Sequence, residues 1–177
     1  MATVPIDEGL ITVREYLRTS YSPDSEYVDG RIVERCVGEK AHSLLLGYLA
    51  FLFMAHRDEW QVEVFMTLRT KVLSTRIRVP DIVAVRAGVV FGPILDVPPL
   101  IAIEILGSED TLSELQEKID DYLAFGTENM WILDPIRRRA WTADAEGLHV
   151  VESGVLSVAG MPIRVVLSEA FAKLDRA

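Results

Sequence analysis

The sequence predicts an α/β protein in which helices flank a mixed central β-sheet. Three segments, residues 82–85, 100–106 and 130–133, are apolar at nearly every position, as is typical of central strands covered on both faces. Residues 112–125, between the last two, carry apolar side chains at helical spacing. The length of 177 residues suits one domain, which we expect to span residues 1–177.

The N-terminal part is expected to contain two helices and a hairpin. A capping box that begins at Thr12 predicts a short helix over residues 12–18. The Asp-Gly pair within residues 26–34 indicates a tight turn between two strands. Residues 40–56 form a helical pattern that is apolar on most faces, so we expect this helix to be largely buried.

The remaining elements are predicted by alternation and capping signals. Residues 62–69 alternate between two faces, which predicts a half-exposed strand with Met66 on its apolar face. Thr111 and Glu114 form a second capping box, and Gly126 is a natural end for that helix. Further along, short strands are expected at residues 138–142 and 148–152, and a terminal helix is expected at residues 168–173.

Composition excludes several classes of protein. The chain is 50% hydrophobic and has one cysteine, so it can form neither an intramolecular disulfide nor a cysteine-based zinc site. Cys36 is expected to be a packed strand residue. The N-terminus lacks a signal-peptide pattern, and the longest apolar stretch, residues 44–55, is too short to cross a bilayer. We therefore expect a cytoplasmic protein without a membrane role.

The net charge of −9 opposes non-specific binding to nucleic acid, because phosphate contacts require Lys and Arg side chains. A role with nucleic acid would need a local basic patch. Two clusters of basic residues could follow a phosphate backbone, or could be solvated edges that protect strands from aggregation. They are Arg69, Lys71, Arg76 and Arg78 in the first, and Arg137, Arg138 and Arg139 in the second.

Glu104 is the most informative residue, because it interrupts an otherwise apolar strand. A buried carboxylate normally has a cation, a hydrogen-bond donor or a proton as its partner. Glu104 could be a strand-end residue paired with an arginine. Alternatively, it could be a metal ligand or a catalytic acid at the edge of the sheet.

Asp81 follows Pro80 and opens another apolar strand. Taken alone, it could simply be an aspartate that forms a turn at the start of a strand. Two carboxylates on neighbouring strands repel each other, however, and a divalent cation allows both Asp81 and Glu104 to remain ionised. Hard oxygen ligands of this kind suit Mg²⁺ or Mn²⁺.

The order of these motifs resembles the Uma-type endonucleases, a branch of the PD-(D/E)XK restriction-endonuclease-like superfamily. The resemblance covers residues 10–143 and implies a restriction-endonuclease-like core. It is carried by the hairpin at residues 26–33, His42, Pro80-Asp81, Glu104-Ile105-Leu106, Lys118, Tyr122, Gly126 and residues 130–135.

The resemblance implies that Asp81 and Glu104 bind a catalytic Mg²⁺ or Mn²⁺, with the Ile105 carbonyl as a third ligand. Leu106 stands where the superfamily has a lysine, and Lys118 would take over that role by orienting or deprotonating the attacking water and screening the phosphate. Alternatively, Lys118 could form an exposed i, i+4 pair with Glu114.

The sequence leaves two alternatives for the position of each of two further residues. Glu26 could add an outer acid or be solvated at the edge of the hairpin. His42 is not at zinc-ligand spacing from the other histidines, and we expect it to lie on the helix surface or to be a core partner.

The leading function is metal-dependent hydrolysis of DNA phosphodiester bonds by Asp81, Glu104 and Lys118. The main alternative is a non-catalytic member of the same fold, a binding or regulatory module that acts through a homodimer or a protein partner. A third hypothesis, a metal-dependent phosphohydrolase of small substrates, fits the acidic charge but has no motif of its own.

Overall fold

The computed structural model describes residues 9–22, 24–35 and 39–176. The helices are α1 (Val13–Arg18), α2 (Lys40–Ala55), α3 (Arg57–Trp60), α4 (Leu112–Phe125) and α5 (Leu167–Ala172), followed by a 3₁₀ turn, Lys173–Arg176. The strands are β1 (Ser25–Val28), β2 (Arg31–Glu34), β3 (Val62–Met66), β4 (Thr70–Leu73), β5 (Arg76–Arg78), β6 (Ile82–Arg86), β7 (Ile101–Ile105), β8 (Asn129–Asp134), β9 (Arg139–Asp144), β10 (Gly147–Val150), β11 (Val155–Ser157) and β12 (Arg164–Val166).

Six strands form the central sheet in the order β10-β9-β8-β7-β6-β3. All neighbours are antiparallel except β7 and β8, which are parallel and joined through α4. Ile103 in β7 therefore lies between Ile82 of β6 and Trp131 of β8. The predicted mixed sheet, with the three apolar segments as adjacent strands, is confirmed.

A second sheet has the order β2-β1-β5-β4 and contains the predicted Asp-Gly hairpin. The strand predicted over residues 62–69 is shorter than expected. It ends at Met66, because Thr67 has a φ of +49° and turns the chain towards the second sheet. Met66 is 50% exposed, so its expected place on an apolar face was wrong. The Thr67 N–H donates to the carbonyl of Asp81 at 3.1 Å and anchors the start of β6.

Helices cover the central sheet on both faces. Leu45, Leu49 and Phe53 of α2 pack with β7 residues of odd number, such as Ile103. On the other face, Leu115, Ile119 and Tyr122 of α4 pack with Val83, Ala102 and Ile132. Because side chains alternate between faces along a strand, Glu104 shares a face with Ala102 and lies on the α4 side of the sheet. Asp81 directly precedes β6, and its side chain contacts His42 of α2.

Helix α4 begins and ends where the sequence predicts. Thr111 and Glu114 bond each other's main-chain N–H groups, which completes the capping box. Gly126 ends the helix with a φ of +98°, a conformation that glycine adopts without strain. These two ends fix the axial position of the helix, and with it the position of Lys118.

The C-terminal part agrees with the predicted short strands and terminal helix. β9 and β10 form a hairpin on the central sheet, whereas β11 and β12 pair separately. Within residues 9–22, 24–35 and 39–176, no helix has the length and hydropathy needed to cross a membrane. Cys36, which we expected in a strand, lies outside the described residues.

Candidate active site

Asp81 and Glu104 lie opposite each other on adjacent strands. Val83 pairs with Ala102, and Ile82 pairs with Ile103. Continuing this antiparallel register by one residue beyond β6 places Asp81 opposite Glu104. Opposite residues of neighbouring strands have Cβ atoms about 4.5–5.5 Å apart. The sheet therefore brings together two carboxylates that are 23 positions apart in the sequence.

Asp81 is buried and accepts hydrogen bonds at both carboxylate oxygens. Oδ2 accepts from the N–H of Ile105 at 2.7 Å and lies 3.2 Å from His42 Nε2. Oδ1 accepts from Arg35 Nη2 at 2.6 Å. Burial by itself would raise the pKa of Asp81, but the His42 hydrogen bond and the Arg35 charge hold that pKa below its ordinary value. Asp81 thus stands in a bend directly before β6, and its side chain binds across to β7.

Arg35 and His42 supply the positive charge next to Asp81. His42 is a core partner, as one of the two alternatives predicted, and its hydrogen bond to Asp81 raises its pKa. Arg35 was missed in the sequence analysis. It follows the hairpin strand β2, and no spacing in the sequence links this position to Asp81. Only the packing of the hairpin beside β6 brings the guanidinium to the carboxylate.

Glu104 is buried against α4. Its Oε1 accepts from the Tyr122 hydroxyl at 2.9 Å, and its Oε2 lies 3.4 Å from Lys118 Nζ. Within the part of the chain that the structure describes, no arginine forms an ion pair with Glu104, so the alternative of a simple Arg pair was wrong. Burial and the nearby negative charge of Asp81 outweigh the Lys118 charge and raise the pKa of Glu104 to about 7.

Lys118 points into the same cleft. Its Nζ lies 3.4 Å from Glu104 Oε2 and 3.4 Å from Glu26 Oε1. The alternative pair with Glu114 does not form, because the Glu114 carboxylate bonds Thr111 in the capping box. Burial would lower the pKa of Lys118, but the charges of Glu104 and Glu26 raise it above its ordinary value. Lys118 is therefore an ammonium group throughout the neutral range.

Glu26 is a buried member of the site, and the expectation of a solvated hairpin residue was wrong. It accepts from Arg78 Nη1 at 2.9 Å and from the N–H of Val79 at 3.1 Å. Burial would raise the pKa of Glu26, but Lys118 and Arg78 hold it below its ordinary value. The Arg78 side chain is only 3% exposed and also pairs with Asp121 of α4.

The two basic clusters differ in their surroundings. In the first, Arg78 is buried, Arg76 pairs with Asp29 and Asp121, and Arg69 stacks over the ring of Tyr16. These three arginines bind the protein's own acids and ring.

The second cluster lies at the surface. The Arg137 side chain is 75% exposed and pairs with Asp134, and Arg138 pairs with Asp175. Of the two clusters predicted from the sequence, the second is therefore the one whose side chains are exposed enough to contact a ligand.

The family assignment follows from a match over most of the chain. A family model described as "Uma2: Putative restriction endonuclease" matches residues 13–164. The chain belongs to the Uma2 family. The resemblance seen in the sequence is thereby confirmed. Of its motif residues, His42, Asp81, Glu104, Ile105 and Lys118 line one cleft.

Solved structures support the fold of this Uma2 protein. A crystal structure from Anabaena variabilis ATCC 29413, described as "a putative nuclease belonging to DUF820", matches with a TM-score of 0.79. The match covers 93% of this chain and 99% of that one at 21% sequence identity. No curated protein matches this sequence. The comparison confirms the α/β fold with its mixed sheet and helices.

The donor groups of the Uma2 cleft fit a hard divalent cation. Asp81, Glu104 and Ile105 line a space of about 30 Å³, together with Arg35 and Lys118. The Ile105 N–H points towards Asp81. Because the carbonyl of a strand residue projects to the same side as its N–H, the Ile105 carbonyl faces the same side as Asp81. Among the described residues, no three His, Cys, Asp or Glu side chains are grouped as a metal cluster. The carboxylate oxygens of Asp81 and Glu104 are of the type that a hard ion such as Mg²⁺ prefers.

Proposed function

We propose that this protein hydrolyses phosphodiester bonds of DNA with the help of Mg²⁺ or Mn²⁺. The observation that carries the proposal is the convergence of Lys118 and Tyr122, from one helix, on Glu104 opposite Asp81. Membership in a family described as restriction endonucleases supports the same reaction class.

Asp81, Glu104 and the Ile105 carbonyl would hold the cation. When bound, such an ion polarises a phosphoryl oxygen and lowers the pKa of a water molecule. The raised pKa of Glu104 supports this assignment, because burial and the neighbouring carboxylates outweigh the one positive charge of Lys118. A cation would supply that charge.

Lys118 acts as a fixed positive charge. Its raised pKa keeps the proton on Nζ, so of the two roles expected from the sequence we favour orientation of water and screening of phosphate over deprotonation of water. Glu26 holds Nζ from the other side and is itself fixed by Arg78. Side chains held in this way need little reorganisation when charge develops on the phosphate.

Arg35 has a second role in the proposal. In the structure, Arg35 and His42 hold the two oxygens of Asp81. A cation held by Asp81 would compete with the Arg35 guanidinium for the carboxylate, because both are positive charges. A guanidinium displaced in this way would be free to bind a phosphate oxygen of the substrate.

A plasmid-nicking assay with purified protein tests the proposal. We expect nicking in Mg²⁺ or Mn²⁺, no nicking in EDTA, and loss of nicking in Asp81→Asn and Glu104→Gln. Asp120→Asn, which changes an exposed carboxylate of α4 outside the cleft, is the matched control and should keep full activity. Absence of nicking by the wild-type protein with either ion, on supercoiled, linear and single-stranded DNA, would rule the proposal out.

A non-catalytic binding or regulatory module is the second candidate. It is favoured by the ion pair of Asp81 with the Arg35 guanidinium, which balances the charge of that carboxylate. A protein of this kind would bind its partner equally well in EDTA and in Mg²⁺. Isothermal titration with Mn²⁺ separates the two candidates, because the module predicts no binding that depends on Asp81.

A further inference from the structure

A second depression lies beside the acidic cleft. It is formed by the loop after β7, the start of α4, the turn after β8 and the adjacent strand β9, and its volume is about 620 Å³. This lies within the range of about 300–1,000 Å³ that is usual for small-molecule sites. We call it the Trp141 groove, after the largest side chain in its wall.

The walls of the Trp141 groove are mainly apolar. Trp141 is half-buried and packs at the edge of the apolar cluster that contains Leu115. Leu112 and Ile136 also line the groove, and they are 83% and 63% exposed. Large apolar side chains in a concave surface are typical of a site that binds a flat or apolar group.

One cationic side chain, Arg137, lies at the rim of the groove, and Asp110 and Asp134 also belong to its lining. The exposed guanidinium of Arg137 lines it. The buried Asp134 below is already satisfied, because its carboxylate accepts from the N–H groups of Ile136 and Arg137 and from the Arg137 side chain. In a chain of net charge −9, this places an accessible positive charge beside an aromatic wall.

The groove is continuous with the acidic cleft. Gly107 and Asp110 line both depressions, and they are held together by a 2.7 Å hydrogen bond from the Gly107 N–H to Asp110. A DNA strand with one phosphate at Asp81 and Glu104 would therefore place the neighbouring nucleotide over the Trp141 groove.

We propose that the Trp141 groove binds the base of an unpaired nucleotide next to the phosphate in the acidic cleft, by stacking on Trp141 with Arg137 on the adjoining phosphate. The inference rests on the proposed function and narrows its substrate class to single-stranded or locally opened DNA. A paired base cannot offer a face to the groove, because both of its faces are stacked within the duplex. Stacking on aromatic side chains and cationic contacts to phosphate are how sequence-tolerant sites bind single strands.

Tryptophan fluorescence gives a direct measure of this binding. Trp60 and Trp131 are 4% and 1% exposed, so Trp141 is the tryptophan that an added base can reach. The probe is an oligodeoxythymidylate of about 12 nucleotides, within the usual range of single-strand sites. It is titrated in Ca²⁺, with a blunt duplex for comparison and a gel to monitor cleavage in the same samples.

We expect the oligodeoxythymidylate to quench the emission and the duplex to bind at least about 10-fold more weakly. Trp141→Ala should weaken binding of the oligonucleotide by about 5- to 100-fold, the usual scale for loss of one stacked base. Trp141→Phe should restore most of the affinity, because it keeps an aromatic face. Arg137→Gln should weaken binding and reduce its dependence on salt. Leu148→Ala, at an exposed position of β10, is the control and should change nothing.

The outcomes separate the two proposals. If plasmid nicking occurs but the duplex binds as tightly as the single strand, or Trp141→Ala retains full affinity, the groove proposal is wrong and the proposed function stands. If the oligonucleotide binds through Trp141 but nothing is cleaved with any ion, the groove proposal stands and the nuclease proposal fails. Should Trp141→Ala not fold, Leu112→Ala and Trp141→Phe provide the test, since Leu112 is largely exposed and Leu112→Ala should weaken binding several-fold.

Discussion

Asp81 and Glu104 face each other across two antiparallel strands, but their charges are balanced in different ways. Asp81 has Arg35, His42 and a main-chain N–H as partners, and its pKa is lowered. Glu104 has Lys118 and Tyr122, and its pKa is raised to about 7. Without metal, the pair therefore holds one firmly ionised carboxylate and one that takes up a proton near neutrality.

The affinity for Mn²⁺ should rise with pH between about pH 6 and pH 8. Glu104 must lose its proton to bind a cation, and its pKa is about 7 in the metal-free protein. Isothermal titration in two buffers of different ionisation enthalpy measures both the affinity and the proton released. In Glu104→Gln, the proton release should disappear and the affinity should fall. A pH-independent affinity in the wild type would contradict the assignment of Glu104.

Replacing Lys118 should separate cleavage from metal binding. In Lys118→Met, we expect the rate of cleavage to fall by ~10²-fold or more, because a charge that stabilises the transition state is lost. The affinity for Mn²⁺ should not fall, since an ammonium group is not a metal ligand. Lys71→Met, in β4, is the matched control and should cleave normally. Wild-type rates in Lys118→Met would remove Lys118 from the mechanism.

Replacing Arg35 should make metal binding tighter and cleavage slower. Arg35→Ala removes the cation that competes for Asp81 Oδ1, so we expect the affinity for Mn²⁺ to rise several-fold. The same change leaves a buried carboxylate short of a partner, which should lower the free energy of unfolding in EDTA by about 1–3 kcal/mol. Thermal unfolding in EDTA and in Mn²⁺ measures both effects, because the metal should restore most of the loss. Weaker metal binding in Arg35→Ala would show that no competition exists.

The buried pair of Glu26 and Arg78 should matter mainly for stability. Arg78→Met leaves Glu26 and Asp121 without their shared cation and should reduce the free energy of unfolding by about 3–5 kcal/mol. The folded-state pKa of Glu26 lies below its ordinary value of 4.5. Its ionised form therefore stabilises the protein above about pH 4.5, and this contribution is lost as the pH falls through the folded-state pKa.

Urea unfolding at several pH values checks the role of Glu26. In Glu26→Gln, the part of the acid destabilisation that comes from this carboxylate should be absent, so stability should fall less steeply below pH 4.5 than in the wild type. An equal slope in the two proteins would mean that Glu26 is not held ionised by Arg78 and Lys118.

The amino-acid sequence by itself determined the main elements of the fold. Three apolar strands, the capping box of α4, the Thr12 cap of α1 and an Asp-Gly turn were readable because each depends on residues close together in the chain. The unusual position of Glu104 was also readable, because a carboxylate within an apolar segment can be recognised without knowing its neighbours in space. The strand expected over residues 62–69 shows the limit of such reading, because alternation does not reveal that Thr67 takes a positive φ.

Only the tertiary structure decided which charges meet. Glu26 and Arg78 appeared to be surface residues, yet they form a buried pair between the second sheet and α4. Arg35 reaches Asp81 across 46 positions of sequence. A local pattern cannot show such contacts, because the energy of a charge depends on its burial and on partners that folding brings from distant segments. Sequence thus singled out the two carboxylates of the cleft, and the packing of two sheets against α4 set their partners and their ionisation.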